Sequence, residues 1–268
     1  MHFEETIQQL KTSNVFFDTD APVFISRAPG RLDLMGGNDD YTGGLVFEST
    51  IQEATCAAAQ LRNDDLIVLK NKTVTEAGWQ GDITLQLQDL SDEQSVRNIV
   101  NASPAVRWTA YVVGNIFYLK KKYNITTGIQ LYMESTVPFN RGVSSSAAIE
   151  IAVMKACAAA YGIDLSGTTL AIACQWVENV IAESACGIMD QIAVATGKKG
   201  HIMPLVCQPC NPEPLITLPE ELEIWGIDSG VSHQVSGIEY EAARAAAFMG
   251  YKIICDHEQI SRERRYFG

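Results

Sequence analysis

The order of extended and helical patterns along the chain constrains its fold more than any other feature. In the first half, alternating or short apolar runs predict strands at 21–27, 45–61, 66–70, 83–90 and 128–135. Apolar residues at helical spacing predict one helix there, 106–123, whose last turn holds three lysines, as suits a helix C-terminus. In the second half, Ala-rich helical patterns cover 145–161, 167–182, 187–196 and 239–254, with short strands predicted at 202–206 and 223–228. Because strands come first and helices later, the pattern predicts an α+β fold rather than strict alternation.

Length and composition exclude several classes of protein. A chain of 268 residues forms one large domain or two modest ones, and 47% apolar with 19% charged residues is a globular composition. The net charge of −12 disfavours binding to nucleic acid or to membrane surfaces. No apolar run approaches the roughly 18 residues of a membrane span, and the acidic start is unlike a secretory signal peptide. We therefore expect neither a nucleic-acid nor a membrane partner.

The cysteines indicate a reducing compartment. There are seven, an odd number, and most lie in apolar stretches, as Cys157 does between two alanines. This pattern is typical of free core thiols, so we expect a cytoplasmic protein. The pair Cys207 and Cys210 leaves a structural zinc site as an alternative, with Cys255 and His257 at an unusual spacing as its other ligands.

Two glycine-rich segments are suited to holding a small polar ligand. The first, residues 28–44, reads APGRLDLMGGNDDYTGG and combines five glycines with Asp, Asn and Arg side chains that bond hydroxyls or charge. The second, residues 138–147, reads PFNRGVSSSA and runs into a predicted helix, whose N-terminus favours phosphate. A solvated turn cluster and a plain serine N-cap are the respective structural alternatives. The chain has no common P-loop pattern.

Two acidic residues stand in apolar surroundings. Glu178 lies within a predicted helix of apolar and small residues, and Asp190 follows Cys186-Gly187-Ile188-Met189. Acids in such places are rarely buried unless they are paired or functional, although an ion pair or a helix cap would also explain them. A further polar segment, WGIDSGVSH at 225–233, ends in His233, a residue type that is more often structural or exposed than catalytic.

Together these segments resemble the GHMP kinases, a family of small-molecule kinases. Residues 29–44 follow the galactokinase pattern Pro-Gly-Arg-x-x-x-x-Gly-Glu-His-x-Asp-Tyr-x-Gly-Gly without gaps. Residues 138–147 resemble the second signature, Pro-x-Gly-x-Gly-Leu-Ser-Ser-Ser-Ala, and CGIMDQ at 186–191 resembles the stretch that carries the catalytic Asp. The resemblance implies a GHMP-kinase-like N-terminal domain, similar to domain 2 of ribosomal protein S5, over residues 1–200. Residues 201–268 are expected to be the start of a second α+β domain, because the third Gly-rich signature is absent and the chain looks truncated.

Within the family, the chain is most similar to the kinase part of plant L-arabinokinases, through GRLDLMGG, LVCQP at 205–209, WGIDSG and AFMGYK at 247–252. Gly37 and Asn38 stand where galactokinases have Glu and His near the C6 hydroxymethyl of the sugar. L-Arabinopyranose has no C6, and an unpaired buried acid would be costly there. Asn140 replaces the first Gly of the second signature, and Asn is the least unfavourable replacement if that position needs a positive φ.

The resemblance also implies a reaction and a set of residues. Phosphate would move from ATP to the anomeric hydroxyl of a galactose-configured sugar, with Asp190 accepting or orienting the hydroxyl proton and Arg31 neutralising charge. The residues expected around the sugar are Asp40, Gly37, Asn38, Gly187 and Tyr240. The residues expected around the ATP phosphates are Asn140, Arg141, Gly142, Val143, Ser144, Ser145 and Ser146. Ser146 and Glu178 are the expected Mg²⁺ ligands.

Other functions stay open on the sequence. L-Arabinose is the favoured substrate, with D-galactose as the alternative, since a pocket without partners for O6 rejects the larger sugar only weakly. A non-catalytic sensor of sugar and ATP on the same scaffold is a second alternative, disfavoured by the intact Asp190, Arg31 and Glu178. A mevalonate or homoserine kinase is disfavoured by the Asp40-Tyr41 and 186–191 matches. The oligomeric state is left open.

Overall fold

The 17-residue strand β2 (Leu45–Leu61) organises the fold, because three other strands pair with it. Strand β1 (Phe24–Met35) runs antiparallel to it, as do β5 (Ile129–Ser135) beside its second half and β6 (His201–Val206) beside its start. The computed structural model describes residues 3–13, 15–208, 210–231 and 238–258.

The remaining strands extend this sheet on both sides. Strand β3 (Leu66–Asn71) lies parallel to β5, and β4 (Asp82–Gln86) pairs antiparallel with β3. The chain returns from β4 to β5 through α3 (Glu93–Val100) and α4 (Ala110–Tyr123), as a parallel pair requires a long connection. The two-residue strands β7 (Asn211–Pro212) and β8 (Ile216–Thr217) both pair with β6. The sheet is therefore mixed, in the order β4-β3-β5-β2-β6-β7 with β1 on β2 and β8 on β6, and the α+β prediction is confirmed.

Helices cover the sheet face on which the main core forms. Helix α5 (Ser145–Ala160) packs on β1 and β2, next to α4, α6 (Gly167–Val180) and α7 (Met189–Thr196). Small residues permit this close contact: Ala57 and Ala59 of β2 and Ala147 of α5 are fully buried in one cluster. Eleven of the 16 residues of α5 are buried. Because α5 is fixed on so many sides, its N-terminus and the loop before it have a defined position.

Three further helices complete the described part of the chain. Helix α1 (Phe3–Thr12) lies against the other face of the sheet, where Ile7 and Phe17 pack with Ala58 and Tyr132. The short helix α2 (Lys72–Glu76) follows β3, and α8 (Ile238–His257) packs on the 3₁₀ helix Gly37–Thr42. Among the described residues, no helix is long and apolar enough to cross a bilayer.

Most predicted elements agree with the structure, but several differ. The predicted strand at 83–90 ends at Gln86 and is followed by the 3₁₀ helix Leu87–Asp89, and the short strands β7 and β8 were not predicted. Helices α1, α2 and α3 were not predicted. The predicted strand at 223–228 is irregular: Trp225 and Ile227 alternate but remain exposed, and no strand among the described residues pairs with this segment. The predicted glycine-rich turn is instead a continuation of β1 to Met35, and the pairing register with β2 shifts between Pro29 and Arg31. Proline lacks a backbone donor and is tolerated where a ladder is broken in this way.

All seven cysteines are free, as predicted. Within the described ranges, no group of three or more His, Cys, Asp or Glu side chains is placed to hold a metal ion. The alternative of a zinc site at Cys207 and Cys210 therefore gains no support from the geometry.

Candidate active site

Arg31 and Asp190, which lie 159 residues apart in sequence, form the centre of the candidate site. The Nε and Nη2 atoms of Arg31 on β1 donate hydrogen bonds to Oδ1 of Asp190 at 2.9 and 2.6 Å. Asp190 is the second residue of α7, so its carboxylate lies at a helix N-terminus. The Arg31 side chain is 9% exposed and that of Asp190 is 25% exposed, so the carboxylate reaches solvent while the guanidinium is held behind it.

The serine-containing loop before α5 contacts the same arginine. The Nη1 atom of Arg31 donates to the Gly142 carbonyl at 2.7 Å, and the backbone amide of Arg31 donates to the Val143 carbonyl at 3.2 Å. Gly30 makes this approach possible, since a Cβ at that position would lie 2.8 Å from the Val143 carbonyl oxygen. The structure thus brings together the two glycine-rich segments that the sequence analysis identified.

The loop presents its backbone in an unusual form. Asn140, Gly142 and Ser144 all have positive φ, at 56, 70 and 57°. Ser144 precedes the first residue of α5, Ser145, but its side chain makes no capping hydrogen bond, and its buried hydroxyl has no partner among the described residues. The first amides of α5 thus lack a side-chain cap, as in helix N-termini that bind anions.

Residue 140 has a positive φ, and the second signature of the resembled family has Gly at this position. Asn adopts a positive φ at less cost than most other residues, so it can stand here in place of Gly. We expect Asn140→Ala to lower the free energy of unfolding by about 1 kcal/mol, since alanine is less able to adopt a left-handed backbone and the exposed side chain loses little packing. Asn140→Gly is the matched control and should stay within a few tenths of a kcal/mol of the wild type. Urea denaturation of the three proteins measures this, and equal stability of the alanine and glycine variants would contradict it.

Glu178 lies beside the start of α5 in a buried polar cluster. It is 4% exposed, receives a hydrogen bond from Gln191 Nε2 at 2.6 Å, and also bonds with Ser146 and Cys186. Burial, followed by the nearby charge of Asp190, raises the pKa of Glu178 to about 7. The two residues that the sequence paired as metal ligands are therefore in direct contact.

The same cluster contains two residues that the sequence analysis missed. Glu150 is fully buried in α5, and Gln191 Nε2 lies 3.3 Å from its Oε2 atom, so that one amide bridges the carboxyl groups of Glu150 and Glu178. Burial, then the charge of Glu178, raises the pKa of Glu150 well above its usual range. An acid inside an otherwise apolar helix was the available signal, because such residues are seldom buried without a role or a partner.

Asp40 forms the other side of the site. It lies in the 3₁₀ helix Gly37–Thr42 and is 8% exposed, with its carboxylate bonded to the amides of Tyr41 and Met189. Burial, followed by repulsion from Asp190, raises its pKa to about 7. The carboxylate packs on Gly187, where a Cβ would lie 1.7 Å from Oδ2 of Asp40. The structure thus places Asp40 and Gly187 in contact, within electrostatic range of Asp190.

The other predicted residues lie around this centre. Gly37 is exposed with φ of 42°, and a Cβ there would lie 3.8 Å from Oδ2 of Asp33. Arg141 forms an exposed ion pair with Asp228 at 3.2 Å, so the segment after β8 reaches the serine-containing loop. The side chains of Asn38 and Tyr240, and the whole of His233, lie outside the described residues.

A small cavity of about 40 Å³ adjoins Asp40 and Gly187 on the side of α8. Arg244 of α8 lines it, with its guanidinium 5.7 Å from the ring of Tyr41 and 5.4 Å from that of Phe248. Such cation–π contacts fix α8 against the segment that carries Asp40.

Comparisons with known proteins match both halves of this arrangement. The family described as "GHMP kinases N terminal domain" matches residues 110–198, and the "Galactokinase galactose-binding signature" matches residues 14–61, together about half of the chain. An L-arabinokinase of Arabidopsis thaliana is 34% identical over 94% of this chain and 27% of its own length. A galactokinase of Chloroflexus aurantiacus is 33% identical over 84% of this chain and 53% of its own length. The chain thus spans about a quarter to a half of these two relatives.

Solved structures show the same likeness. The crystal structure of Lactococcus lactis galactokinase complexed with galactose has a TM-score of 0.77 and 25% sequence identity with this chain. The match covers 96% of this chain and 63% of the galactokinase. The likeness therefore extends over both the β1 segment with Arg31 and the α7 segment with Asp190.

Proposed function

Since this chain belongs to the GHMP kinases, we propose that it forms part of an ATP-dependent sugar kinase that phosphorylates the anomeric hydroxyl of a galactose-configured sugar. The observation that carries the proposal is the contact of one buried guanidinium, Arg31, with both the Asp190 carboxylate and the Gly142 carbonyl of the serine-containing loop. This contact supports the proposal, because phosphoryl transfer requires a proton acceptor beside a phosphate-binding loop, the roles that we propose for Asp190 and for the serine-containing loop.

The chain's own residues account for the steps of this reaction. Asp190 accepts or orients the proton of the anomeric hydroxyl, because its carboxylate is partly exposed and paired with a cation. Arg31 holds that carboxylate in place and offers its remaining N–H groups to charge that develops on the transferring phosphate. The amides of residues 142–146 at the start of α5 bind the phosphates of ATP.

The cluster of Ser146 and Glu178 fits a magnesium ion. A hydroxyl and a carboxylate are oxygen donors in mutual contact, and Mg²⁺ in kinases commonly takes one or two protein oxygens together with substrate phosphates. When bound, the ion would supply neutralising charge for the phosphates of ATP. Gln191, which donates to Glu178, would keep the carboxylate in one orientation.

For the sugar, we propose L-arabinose as the preferred substrate, with D-galactose as the alternative. An L-arabinokinase is among the curated relatives that match most of this chain, and no carboxylate extends from position 37, where the galactokinase pattern has Glu. Asp40 would accept hydrogen bonds from ring hydroxyls, which both sugars share. Tyr240 and Asn38 are kept as proposed sugar contacts on the family resemblance.

The substrate proposal predicts the effect of restoring the missing acid. We expect Gly37→Glu to raise the ratio of kcat/KM for galactose to that for arabinose about tenfold, because a carboxylate gains a partner in O6. Gly37→Ala is the matched control, since φ is 42° and any side chain strains this position whereas only Glu offers a carboxylate. An equal ratio in both variants would count against the O6 argument.

A coupled assay of ADP release with each sugar, followed by ³¹P NMR of the product, tests the activity directly. Formation of an anomeric sugar phosphate is the expected result. A non-catalytic sensor of sugar and ATP would instead bind both ligands by calorimetry and release no ADP. Sugar phosphorylated at another hydroxyl would refute the assigned chemistry.

Two broader expectations also stand as proposals. We propose a cytoplasmic location, since all seven cysteines are free. We also propose a division of the chain at about residue 200, into an ATP- and sugar-binding domain and the beginning of a second domain. Strand β6, which would begin the second unit at His201, pairs with β2 of the first unit, so the two units contribute strands to the same sheet.

A further inference from the structure

A second carboxyl group lies beneath the catalytic arginine and has no part in the reaction proposed above. Glu48 of β2 has no exposed surface, and its Oε2 atom is 3.2 Å from Nε of Arg31. Neither of its oxygens makes a hydrogen bond of good geometry with any described residue. A buried polar group left in this condition is costly, so its retention calls for an explanation.

The groups around Glu48 disfavour a negative charge on it. Its partner across the β1–β2 ladder is Asp33, and like charges directly opposite each other are destabilising. Asp190 of α7 and Asp40 of the 3₁₀ helix also repel it, and Arg31 is the cation that opposes them. Burial, only partly offset by Arg31, raises the pKa of Glu48 to about 9. Burial and these neighbouring acids therefore favour the protonated form of Glu48 over its charged form.

We propose that Glu48 is a positioning residue for Arg31: a fully buried carboxyl beneath the guanidinium that holds its Nε edge, while Asp190 and the Gly142 carbonyl accept the hydrogen bonds of Arg31. The inference rests on the proposed function and adds a residue to it. A charged Glu48 would compete with Asp190 for the same guanidinium, whereas an apolar residue would remove the polar contact beside Nε and leave Asp190 and the Gly142 carbonyl alone to orient Arg31.

Replacement by Gln and by Leu separates these possibilities. In the full-length protein, E48L should lower kcat about 10- to 100-fold with the KM for ATP and for sugar changed less than threefold, because misplacement of Arg31 affects the transition state. E48Q, which has the same shape and no charge, should restore kcat to within about threefold of the wild type at pH 7.5. Gln60→Leu is the matched control, a buried polar residue of the same strand that bonds with residues 18 and 21 at the far end of the sheet.

The pH profile supplies a readout that a merely structural role would not move. Ionisation of Glu48 should reduce wild-type kcat about fourfold between pH 7.5 and pH 9.5, and E48Q should lack that decline.

The melting temperature gives a second readout without turnover. Folded Glu48 keeps its proton up to about pH 9, whereas unfolded Glu48 loses it near pH 4.5, so this group destabilises the wild type as pH rises between those values. The melting temperature of E48Q minus that of the wild type should therefore grow from pH 5 to pH 8.5.

The outcomes distinguish this inference from the proposed function. An inactive E48Q, an E48L variant with wild-type kcat, or a melting difference that is flat with pH in an active enzyme would overturn the role of Glu48 alone. A wild-type protein that phosphorylates no galactose-configured sugar would overturn the proposed function, and the catalytic role of Glu48 with it. If E48L fails to fold, the comparison of E48Q with the wild type across pH still decides the question.

Discussion

Asp190→Asn should lower kcat about 10³-fold while ATP binding persists. The amide cannot accept a proton, and general base catalysis by a positioned side chain commonly contributes 10²- to 10⁴-fold. Arg31 also loses the anion that receives two of its hydrogen bonds, so the positive charge nearest the reacting oxygen is less firmly held. The amides that we propose to bind phosphate belong to a different segment, at the start of α5, and are not altered. Steady-state kinetics and calorimetric titration with ATP measure the two effects separately.

The control for this variant is Asp164→Asn, which removes the same charge from an exposed turn between α5 and α6. We expect it to behave like the wild type in both measurements. If Asp190→Asn retained turnover within tenfold, Asp190 would be at most an orienting group. If it also lost ATP binding, the separation of the sugar side from the phosphate side of the site would be wrong.

Gly187→Ala should lower kcat/KM for the sugar about 10²-fold through a clash with Asp40. The new Cβ would lie 1.7 Å from Oδ2 and 2.3 Å from Cγ of Asp40, far inside contact distance. The Asp40 side chain is short and buried, and its carboxylate bonds to two backbone amides. It cannot rotate aside within its present contacts, so the carboxylate must leave its position to make room for the new Cβ. A displacement of about 1 Å at such a group is enough to cost this much in rate. Kinetics with varied sugar at saturating ATP measure the loss.

A double-mutant cycle identifies the cause of that loss. Once Asp40 is replaced by Ala, the additional change Gly187→Ala should have little effect, because the clashing atoms are gone. Gly250→Ala in α8 is a second control, since a Cβ there meets no atom within 4 Å and alanine favours the helix. Additive losses in the cycle would show that Gly187 acts independently of Asp40.

The sequence predicted the parts of the site that depend on local pattern. Alternation revealed β2, and Ala-rich periodicity revealed α5 to α7 with ends close to those observed. Family resemblance then paired Arg31 with Asp190 and Ser146 with Glu178, and the structure places both pairs in contact. Asn140 was expected to tolerate a positive φ, and its φ is 56°. These agreements arise because glycine, serine and proline signals specify backbone geometry directly.

The features that were missed depend on contacts between distant segments. Pro29 and Gly30 resemble turn residues in isolation, but pairing with β2 keeps the backbone extended through them. Glu48 looks like an ordinary acid in a strand, and its burial follows only from how β2 packs with α5 and α7, as does the contact of Glu150 with Gln191. Helices α1 and α3 are short and amphipathic, and tertiary packing rather than intrinsic propensity stabilises helices of such length.

The hydrogen bond from the Arg31 amide to the Val143 carbonyl, made at the closest approach of Gly30, has a dynamic consequence. It links the backbone that carries Arg31 to the backbone that precedes α5, so neither segment opens without releasing the other. Deuterium uptake at the Arg31 amide therefore follows the local unfolding of the serine-containing loop. The exchange rate of this one amide, measured with and without nucleotide, should report how firmly the Arg31 segment and the loop before α5 are held together.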